Sequence, residues 1–225
     1  MRLAKTPQGF SDEPLEYSSD GSHVLFLRGS SSDQRTVYSV KTNGTRLTAL
    51  SPPSLNVTDL SDFAGQTTVD SSPDGSKVVF AAAFQANVGT TSGLFVVAID
   101  GTGLRQINIH TALFPFSAQW SPNGRWIAFT SGGNTFSRVY IVHPDGTGLT
   151  RITQPANECD SIAPVWSPDA SKLLFLQRCF RGTTGTSAAL YTVNLDGSGL
   201  FKVTDLNQGT FPFSLDYSWG TAPVG

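Results

Sequence analysis

The chain has 225 residues, 14% of them charged, and a formal net charge of −2, so it lacks the basic surface that nucleic acid or an anionic membrane would require. No apolar run approaches the roughly 20 residues of a membrane span, and the first residues, MRLAKTPQGF, lack the apolar segment of a signal peptide. The 22 glycines and 13 prolines are typical of many short strands joined by turns.

One pattern of about 35 residues recurs four times along the chain. Each copy contains a turn, an apolar run, a polar loop, a second apolar run, an Asp-Gly or Asn-Gly pair and a short final run. The copies cover residues 17–50, 71–107, 120–153 and 166–204. Their starts, at 17, 71, 120 and 166, are therefore 54, 49 and 46 residues apart, a spacing that suits the four-stranded blade of a β-propeller.

Each unit is predicted to contain four strands, which we label A to D. Strand A ends just before the first turn, and strand D is the short run after Asp-Gly, such as Leu149–Thr153. The runs are rich in β-branched and aromatic residues and too short for helices. The predicted B strands are Val24–Leu27, Val78–Ala81, Ile127–Thr130 and Leu173–Leu176, and the predicted C strands are Val37–Val40, Leu94–Ile99, Val139–Val142 and Leu190–Leu195.

Two turns in each unit have a chemical explanation. In Pro-Asp-Gly, proline fixes φ and glycine supplies the left-handed position. Asp-Gly is the strongest short-range hairpin signal, and Asn43-Gly44 takes its place in the first unit. Ala170 stands where the other units have glycine, so the first turn of unit four is expected to be strained or of another type.

These units predict an all-β fold, a β-propeller with four clear four-stranded blades plus a partial blade from the two termini. A four-stranded meander buries both faces only when neighbouring blades stack against it; the alternative is a β-sandwich with similar hairpins. Residues 2–21 fit a leading strand D followed by strand A, and residues 201–220 fit strand D followed by a further strand A. The chain then closes as a small ring with a two-stranded seam, or it is a fragment of a larger ring.

The pattern WSPDG…IAF…IY…DGTG…RIT resembles the repeat of TolB-like β-propellers, and it is similar to repeats in the propeller domains of tricorn-type and prolyl-oligopeptidase-type peptidases. The resemblance covers about residues 2 to 220, so residues 1–225 are expected to form a single TolB-like domain. The family usually has six or more blades, so four units depart from it. The resemblance implies protein binding in the periplasm or at the cell surface, or a gating domain for an attached hydrolase.

No catalytic motif accompanies the repeats. The G-x-S-x-G elbow of α/β-hydrolases does not occur, and we expect a protein that is not an enzyme. The only glutamates are Glu13, Glu16 and Glu158. A glycosidase-like pair of carboxylates from separate blades stays open as an alternative, because strands of different blades converge in space.

Metal and cofactor sites are not expected either. Three histidines fall in different units without metal-ligand spacing: His23, His110 and His143. The repeated turn aspartates could suggest calcium, but an aspartate in such a turn more commonly accepts hydrogen bonds from its own backbone. These aspartates are Asp20, Asp74, Asp100, Asp145, Asp169 and Asp196.

The two cysteines flank the first hairpin of unit four. If Trp166 lies opposite Leu173, facing positions in this hairpin sum to 339, and Cys159 and Cys179 sum to 338. The two cysteines should therefore face each other within one residue, near the separation of a disulfide. A disulfide would imply an exported protein; two reduced cysteines are the alternative.

The candidate binding face carries the D–A crossings and the B–C loops, because the tight A–B and C–D turns share the other face and hardly vary. Its longest segments are residues 51–68, 82–93 and 178–187, and loops on a rigid scaffold commonly carry function. Two crossings repeat FPFS, whose phenylalanines either anchor a partner or, at Phe116 and Phe213, wedge between blades. The predicted binding residues are Phe63, His110, Phe114, Arg178, Phe180, Arg181 and Phe211.

Three hypotheses remain open at this point. The first is a non-catalytic module that binds a protein, or a glycan, with a homodimer through the open edge blades as a further option. The second is an enzyme or the accessory propeller of one, and a third option is a fragment with no function of its own. An enzyme should place titratable groups at the mouth of the channel, whereas a binding module should show an apolar patch with a polar rim.

Overall fold

The computed structural model describes residues 4–30, 35–57, 69–86, 89–109, 113–132, 136–154, 158–180, 186–206 and 219. Their sixteen strands form four antiparallel sheets of four strands each, which confirms the predicted blades. Blade 1 contains β1 (Phe10–Tyr17), β2 (His23–Ser30), β3 (Arg35–Lys41) and β4 (Thr48–Ala49). Blade 2 contains β5 (Val69–Ser71), β6 (Lys77–Ala86), β7 (Gly89–Ala98) and β8 (Arg105–Ile107). Blade 3 contains β9 (Phe114–Trp120), β10 (Ile127–Gly132), β11 (Arg138–Val142) and β12 (Thr150–Arg151). Blade 4 contains β13 (Cys159–Trp166), β14 (Lys172–Phe180), β15 (Thr186–Asn194) and β16 (Phe201–Leu206).

The first turn of each blade has the same geometry in units with glycine and in the unit with alanine. Gly124 has φ 69°, and its N–H donates to the carbonyl of Ser121 at 2.9 Å. Ala170 has φ 57°, and its N–H donates to the carbonyl of Ser167 at 2.8 Å. The turn type is therefore kept, and Ala170 is held in a left-handed conformation that costs a residue with a Cβ about 1–2 kcal/mol.

The blades bury their faces against each other. A stacked aromatic pair on strands B and C recurs, with ring centroids 5.6 Å apart for Phe80 and Phe95 and also for Phe129 and Tyr140. Phe80 packs in a cluster with Leu25 of the preceding blade. The same arrangement joins blade 3 to blade 2 and blade 4 to blade 3, so the core lies between sheets.

Blade 1 carries the same pair, Phe26 and Tyr38, with centroids 5.6 Å apart, but no sheet of the described part of the chain precedes it. Arg28 covers this pair instead, with its guanidinium carbon 5.4 Å and 5.0 Å from the two ring centroids. Asp12 holds Arg28 through contacts of 2.6 and 2.8 Å. The four sheets thus form an open arc.

The structure does not show the partial blade that was predicted from the two ends of the chain. Residues 4–9 form no strand, because no strand C of another blade lies beside them among the described residues. The predicted trailing strand A falls outside the described residues, except for Trp219. Its indole Nε1 donates to the carbonyl of Val165 at 3.2 Å, as Trp166 does to the carbonyl of Gln119 at 3.2 Å.

Two segments predicted as long B–C loops are largely strand. β6 and β7 pair as far as Ala86 opposite Gly89, and β14 and β15 pair as far as Phe180 opposite Thr186. The prediction of loops over 82–93 and 178–187 was wrong in extent, because the antiparallel ladder continues beyond the most apolar part of each strand.

Candidate binding face

On the tight-turn face, the aspartate and serine side chains form hydrogen bonds within their own turns. Asp74 illustrates the pattern: its carboxylate accepts from the Ser72 hydroxyl at 2.6 Å and from the Ser76 N–H at 3.0 Å. These bonds lower the pKa of Asp74 to about 2, because they stabilise the charged form. Asp20 and Asp169 behave in the same way, each with a pKa of about 2. The turn aspartates therefore cap backbone turns. Among the described residues, no group of three or more His, Cys, Asp or Glu side chains could hold a metal ion.

The predicted binding residues are only partly within the described chain. Four of them lie outside it, and nothing is said of their positions: Phe63, His110, Arg181 and Phe211. Three lie at the ends of strands far from the tight turns: Phe114, Arg178 and Phe180. Phe114 begins β9 and is 43% exposed, whereas Phe180 ends β14 and is 37% exposed.

Arg178 and Phe180 belong to a cluster that also includes Phe136 and Asp160. The rings of Phe136 and Phe180 stack with centroids 6.0 Å apart, and the Arg178 guanidinium lies 5.4 Å from the Phe180 centroid. Arg178 also donates to the Asp160 carboxylate at 3.1 Å. We call these four residues the aromatic–arginine patch. Stacking and a cation over a ring hold both aromatic faces in place.

The patch rests on a rigid junction between blades 3 and 4. The second Asp160 oxygen accepts from the Ser137 N–H at 2.7 Å, and the Ser161 N–H donates to the Ser137 carbonyl at 2.9 Å. Arg138 is 9% exposed and donates to the Cys159 carbonyl at 2.7 Å. Its burial lowers the pKa of the guanidinium. The backbone beside Phe136 is thus fixed to strand A of the next blade.

A disulfide joins Cys159, the neighbour of Asp160 in the sequence, to Cys179, which lies between Arg178 and Phe180 in the sequence. The two cysteines lie directly opposite each other in the ladder of β13 and β14. The one-residue offset in the sequence prediction comes from a β-bulge between Ile162 and Val165, where Ala163 has φ 57°. Ala163 is fully buried and donates its N–H to the Thr130 hydroxyl at 3.1 Å. A β-bulge of this kind places an extra residue in one strand and so shifts the pairing register by one residue.

Phe114 and Phe116, from the first FPFS repeat, have different environments. Phe116 is partly buried and packs against Ile162, Leu176 and Ala188 of blade 4, so it wedges between blades as the alternative interpretation predicted. Phe114 keeps 43% of its surface exposed. The corresponding wedge, Phe213, lies outside the described residues.

The crossing between blades 1 and 2 is partly structural. Leu55 and Val57 are 9% and 0% exposed and belong to the core between these blades. Asn56 forms an antiparallel bridge with Ala83 of β6. Residues 51–57 therefore pack against the scaffold, and residues 58–68 lie outside the described chain.

The sequence prediction missed two residues of the patch, Phe136 and Asp160, and only Phe136 carries a signal that could have found it. It is the only aromatic residue in the polar segment SGGNTFSR between strands B and C of unit three. The rule that selected Phe180, an aromatic residue after strand B, would have selected Phe136 as well.

A pair of carboxyl groups lies on the strands that come first in blades 1 and 2. Glu16 Oε1 accepts from the Ser71 N–H at 3.2 Å, and Asp70 Oδ2 accepts from the Trp120 N–H at 2.6 Å. Burial raises the pKa of Glu16 to about 8, with a further rise from the neighbouring Asp70. Burial also raises the pKa of Asp70, to about 6. Of the other two glutamates, Glu13 is paired with Arg35, and Glu158 is exposed.

Comparison with known proteins supports the repeat type. No family model matches the chain. Over 74 residues the chain is 35% identical to the Tol-Pal system protein TolB of Syntrophus aciditrophicus, a match that covers 31% of this chain and 16% of that protein. The predicted resemblance to TolB-like repeats is thereby confirmed over part of the chain.

Solved structures extend the likeness of fold to most of the chain. TolB from Acinetobacter baumannii superposes with a TM-score of 0.62 at 14% identity, over 87% of this chain and 43% of that one. The tricorn protease superposes with a TM-score of 0.59 at 8% identity, over 87% of this chain and 22% of that one. The chain thus has a TolB-like β-propeller fold and spans less than half the length of these relatives.

Proposed function

We propose that this TolB-like propeller is a non-catalytic module that binds a protein, or alternatively a glycan, through the face that carries its B–C loops and D–A crossings. The observation that carries the proposal is the aromatic–arginine patch. It offers two stacked rings and a guanidinium on a junction fixed by the disulfide and by Asp160. Aromatic and arginine side chains dominate binding energy at interfaces.

The opposite face supports this choice. Its aspartates and hydroxyl groups bond within their own turns, as in the Asp196 carboxylate that accepts from Ser198 N–H and hydroxyl at 2.9 and 2.6 Å. Polar groups already satisfied in this way gain little from a partner. The variation between units is also concentrated on the loop face.

Pre-organisation of the two rings supports binding at this patch. Phe136 and Phe180 are stacked before any partner arrives, so binding does not have to fix their rotamers, a cost of about 0.5–1.5 kcal/mol for each mobile side chain. Phe114 adds a further exposed ring at the same end of blade 3. A glycan could also stack on these rings, and the experiment below separates the two ligands.

Site-specific photo-crosslinking tests the proposal. A photoreactive phenylalanine analogue at position 180 or 114 should capture a discrete protein from extracts of the source organism. The same analogue at Phe201, which is 65% exposed at the tight-turn end of β16, is the matched control and should capture nothing specific. Binding to a glycan array with no protein adduct would favour the glycan. Equal capture from positions 180 and 201 would argue against the loop face.

The alternative is an accessory propeller of a hydrolase, or an enzyme with an unrecognised site. It is favoured by the similarity of fold to the tricorn protease and by the Glu16–Asp70 pair, since carboxyl groups with raised pKa values occur at catalytic sites. If the chain is itself an enzyme, Glu16→Gln should abolish a hydrolytic activity that Phe180→Ala leaves intact. The binding proposal expects no activity for Glu16→Gln to remove.

The disulfide supports a place in the periplasm or outside the cell, because such bonds persist in oxidising compartments. Mass spectrometry of protein isolated from its source, alkylated before reduction, tests this inference. An intact Cys159–Cys179 bond is the expected result, and two alkylated cysteines would contradict it.

The face of Phe26 and Tyr38 also suggests a homodimer. In blades 2 and 3 the equivalent phenylalanines are 0% exposed under a preceding blade, whereas in blade 1 Arg28 leaves Phe26 5% exposed and Tyr38 half-buried. A second copy could complete that cover. Sedimentation velocity should then give twice the 24.0 kDa of the chain, and Tyr38→Glu should return the monomer. A wild-type monomer at high concentration would exclude this assembly.

A further inference from the structure

Ser92 lies on a part of β7 that extends beyond the neighbouring strand. β7 covers Gly89–Ala98, whereas β8 covers only Arg105–Ile107, and their last pair is Leu94 opposite Ile107. Ser92, two residues before Leu94, therefore has no pairing partner in β8. We call this part of β7 the Ser92 edge.

The equivalent residue is paired on its outer side in blades 1 and 4. In each blade it stands three places before the second ring of the stacked aromatic pair. In blade 1 it is Arg35, whose N–H donates to Asn56 Oδ1 at 3.0 Å and whose carbonyl accepts from the Val57 N–H at 3.1 Å. In blade 4 it is Ala188, which lies opposite Leu206 because β16 continues further than β8 does.

The sequence explains why blade 2 differs from blade 3. In blade 3 the equivalent residue is Ser137, which donates its N–H to Asp160 at 2.7 Å and accepts from the Ser161 N–H at 2.9 Å. The strand registers place Phe114 and Pro115 where blade 4 has Asp160 and Ser161. Phenylalanine has no acceptor oxygen and proline has no backbone N–H. Among the described residues, no other group makes these two bonds in blade 2.

A cavity of about 290 Å³ lies beside the Ser92 edge. The Ser92 hydroxyl oxygen is buried and has no hydrogen-bond partner among the described residues. The walls of the cavity include Phe84, Thr91, Gln106 and Ile109. Because buried polar groups in native proteins are nearly always hydrogen-bonded, Ser92 has the groups and the neighbouring space that a polar ligand requires.

We propose that the Ser92 edge binds a short extended segment of a partner protein, which pairs with β7 as an added strand. In the other three blades this position is paired with polypeptide, and a peptide residue likewise offers one N–H and one carbonyl to a strand edge. Unpaired strand edges bind such segments through main-chain hydrogen bonds. The site lies on a different blade from the Arg178 and Phe180 side chains of the aromatic–arginine patch, so it goes beyond the function proposed above.

Hydrogen exchange of backbone amides tests whether the edge is open in the free chain. We expect the Ser92 N–H to exchange at least about 10-fold faster than the equivalent N–H groups of Arg35 and Ser137, because those two must first break a hydrogen bond. Equal protection of the three amides overturns the open edge.

NMR titration with a capped peptide tests the ligand. The probe is acetyl-Val-Thr-Asp-Leu-amide, the sequence of residues 203–206, whose leucine lies opposite Ala188 in blade 4. At millimolar concentration we expect it to shift the N–H signals of Ser92 and Gly93 and to slow exchange at Ser92. The same peptide with an N-methylated leucine lacks the pairing N–H and should bind about 10-fold more weakly.

Two changes in the chain provide a second test. Phe114→Asp combined with Pro115→Ser gives blade 2 the residues that bond Ser137 in blade 3, so the Ser92 N–H should become protected and the peptide should no longer bind. Ser92→Pro removes the N–H at a strand edge, where proline is tolerated, and should weaken peptide binding about 10-fold.

Three results overturn the proposal: no shift at Ser92, equal affinity for the two peptides, or the same shifts with glucose in place of the peptide. Wild type with the two peptides decides the point even if the variants do not fold. Because this binding is read at Ser92 and the crosslinking is read at position 180, failure of either site leaves the test of the other unchanged.

Discussion

The indole of Trp219 donates a hydrogen bond to the carbonyl of Val165 at 3.2 Å. Trp166 makes the same bond to Gln119, the residue that precedes Trp120, also at 3.2 Å. Trp219 therefore occupies, beyond blade 4, the position that Trp166 occupies beyond blade 3. The tryptophan hydrogen bond that recurs between blades is therefore repeated beyond the last complete blade.

This bond predicts that Trp219 stabilises blade 4. Trp219→Phe removes the N–H while keeping an aromatic ring, and we expect the free energy of unfolding to fall by about 1 kcal/mol. Trp166→Phe removes the equivalent bond and is the internal comparison. Urea unfolding followed by circular dichroism measures both. Unchanged stability in Trp219→Phe would mean that the bond contributes nothing in solution.

Because the arc is open, replacing equivalent core phenylalanines in different blades should lower the free energy of unfolding by different amounts. Phe129→Ala should cost about 3–5 kcal/mol, because its ring is packed from both sides between blades. Phe26→Ala should cost less, because only Arg28 and the adjacent strands cover that ring. The two variants are compared by urea unfolding at low protein concentration. Equal losses would indicate that blade 1 has a covering partner in solution.

The disulfide predicts a large dependence of stability on redox conditions. The bond closes a loop with a sequence separation of 20, for which the chain-entropy relation gives about 3 kcal/mol. The double variant Cys159→Ser with Cys179→Ser should lose that amount, and reduced wild type should behave like the variant. A thermal midpoint that does not change on reduction would contradict the expected role.

The turn aspartates predict a loss of stability in acid. Hydrogen bonds from Ser72 and Ser76 lower the pKa of Asp74 to about 2 from 3.8, so its contribution is present above pH 3.8 and is lost as the pH falls through about 2. The exposed position limits the effect to a few tenths of a kcal/mol. Asp74→Asn should flatten this part of the pH profile and keep the turn, as Asn123 does in unit three. An unchanged acid profile would show that other groups control it.

The sequence predicted the blades because turn chemistry repeats at fixed positions. Asp74 and its glycine specify a turn wherever they occur, so the strands between successive turns could be placed without knowledge of the whole fold. The cysteine pairing followed from the same hairpin register, within one residue. The remaining offset comes from the bulge at Ala163, which depends on a hydrogen bond from the Thr130 hydroxyl of the preceding blade.

The candidate site was harder to predict from the sequence, because it also depends on contacts between blades. Arg178 and Phe180 could be selected because they follow a predicted strand, but the contact of Phe180 with Phe136 arises only when blades 3 and 4 pack together. The Glu16–Asp70 pair likewise joins residues 54 positions apart. Alignment of the repeats could still have indicated the pair, because both residues stand two positions before the serine of the first turn.

The affinity of wild type and of Phe180→Ala for the protein captured by crosslinking tests the central claim most directly. We predict a loss of about 30-fold or more for Phe180→Ala, as expected for an interface residue worth about 2 kcal/mol. Phe201→Ala, the matched truncation at the tight-turn end, should bind as wild type does. Equal affinities for Phe180→Ala and wild type, or a loss confined to Phe201→Ala, would contradict binding through the aromatic–arginine patch.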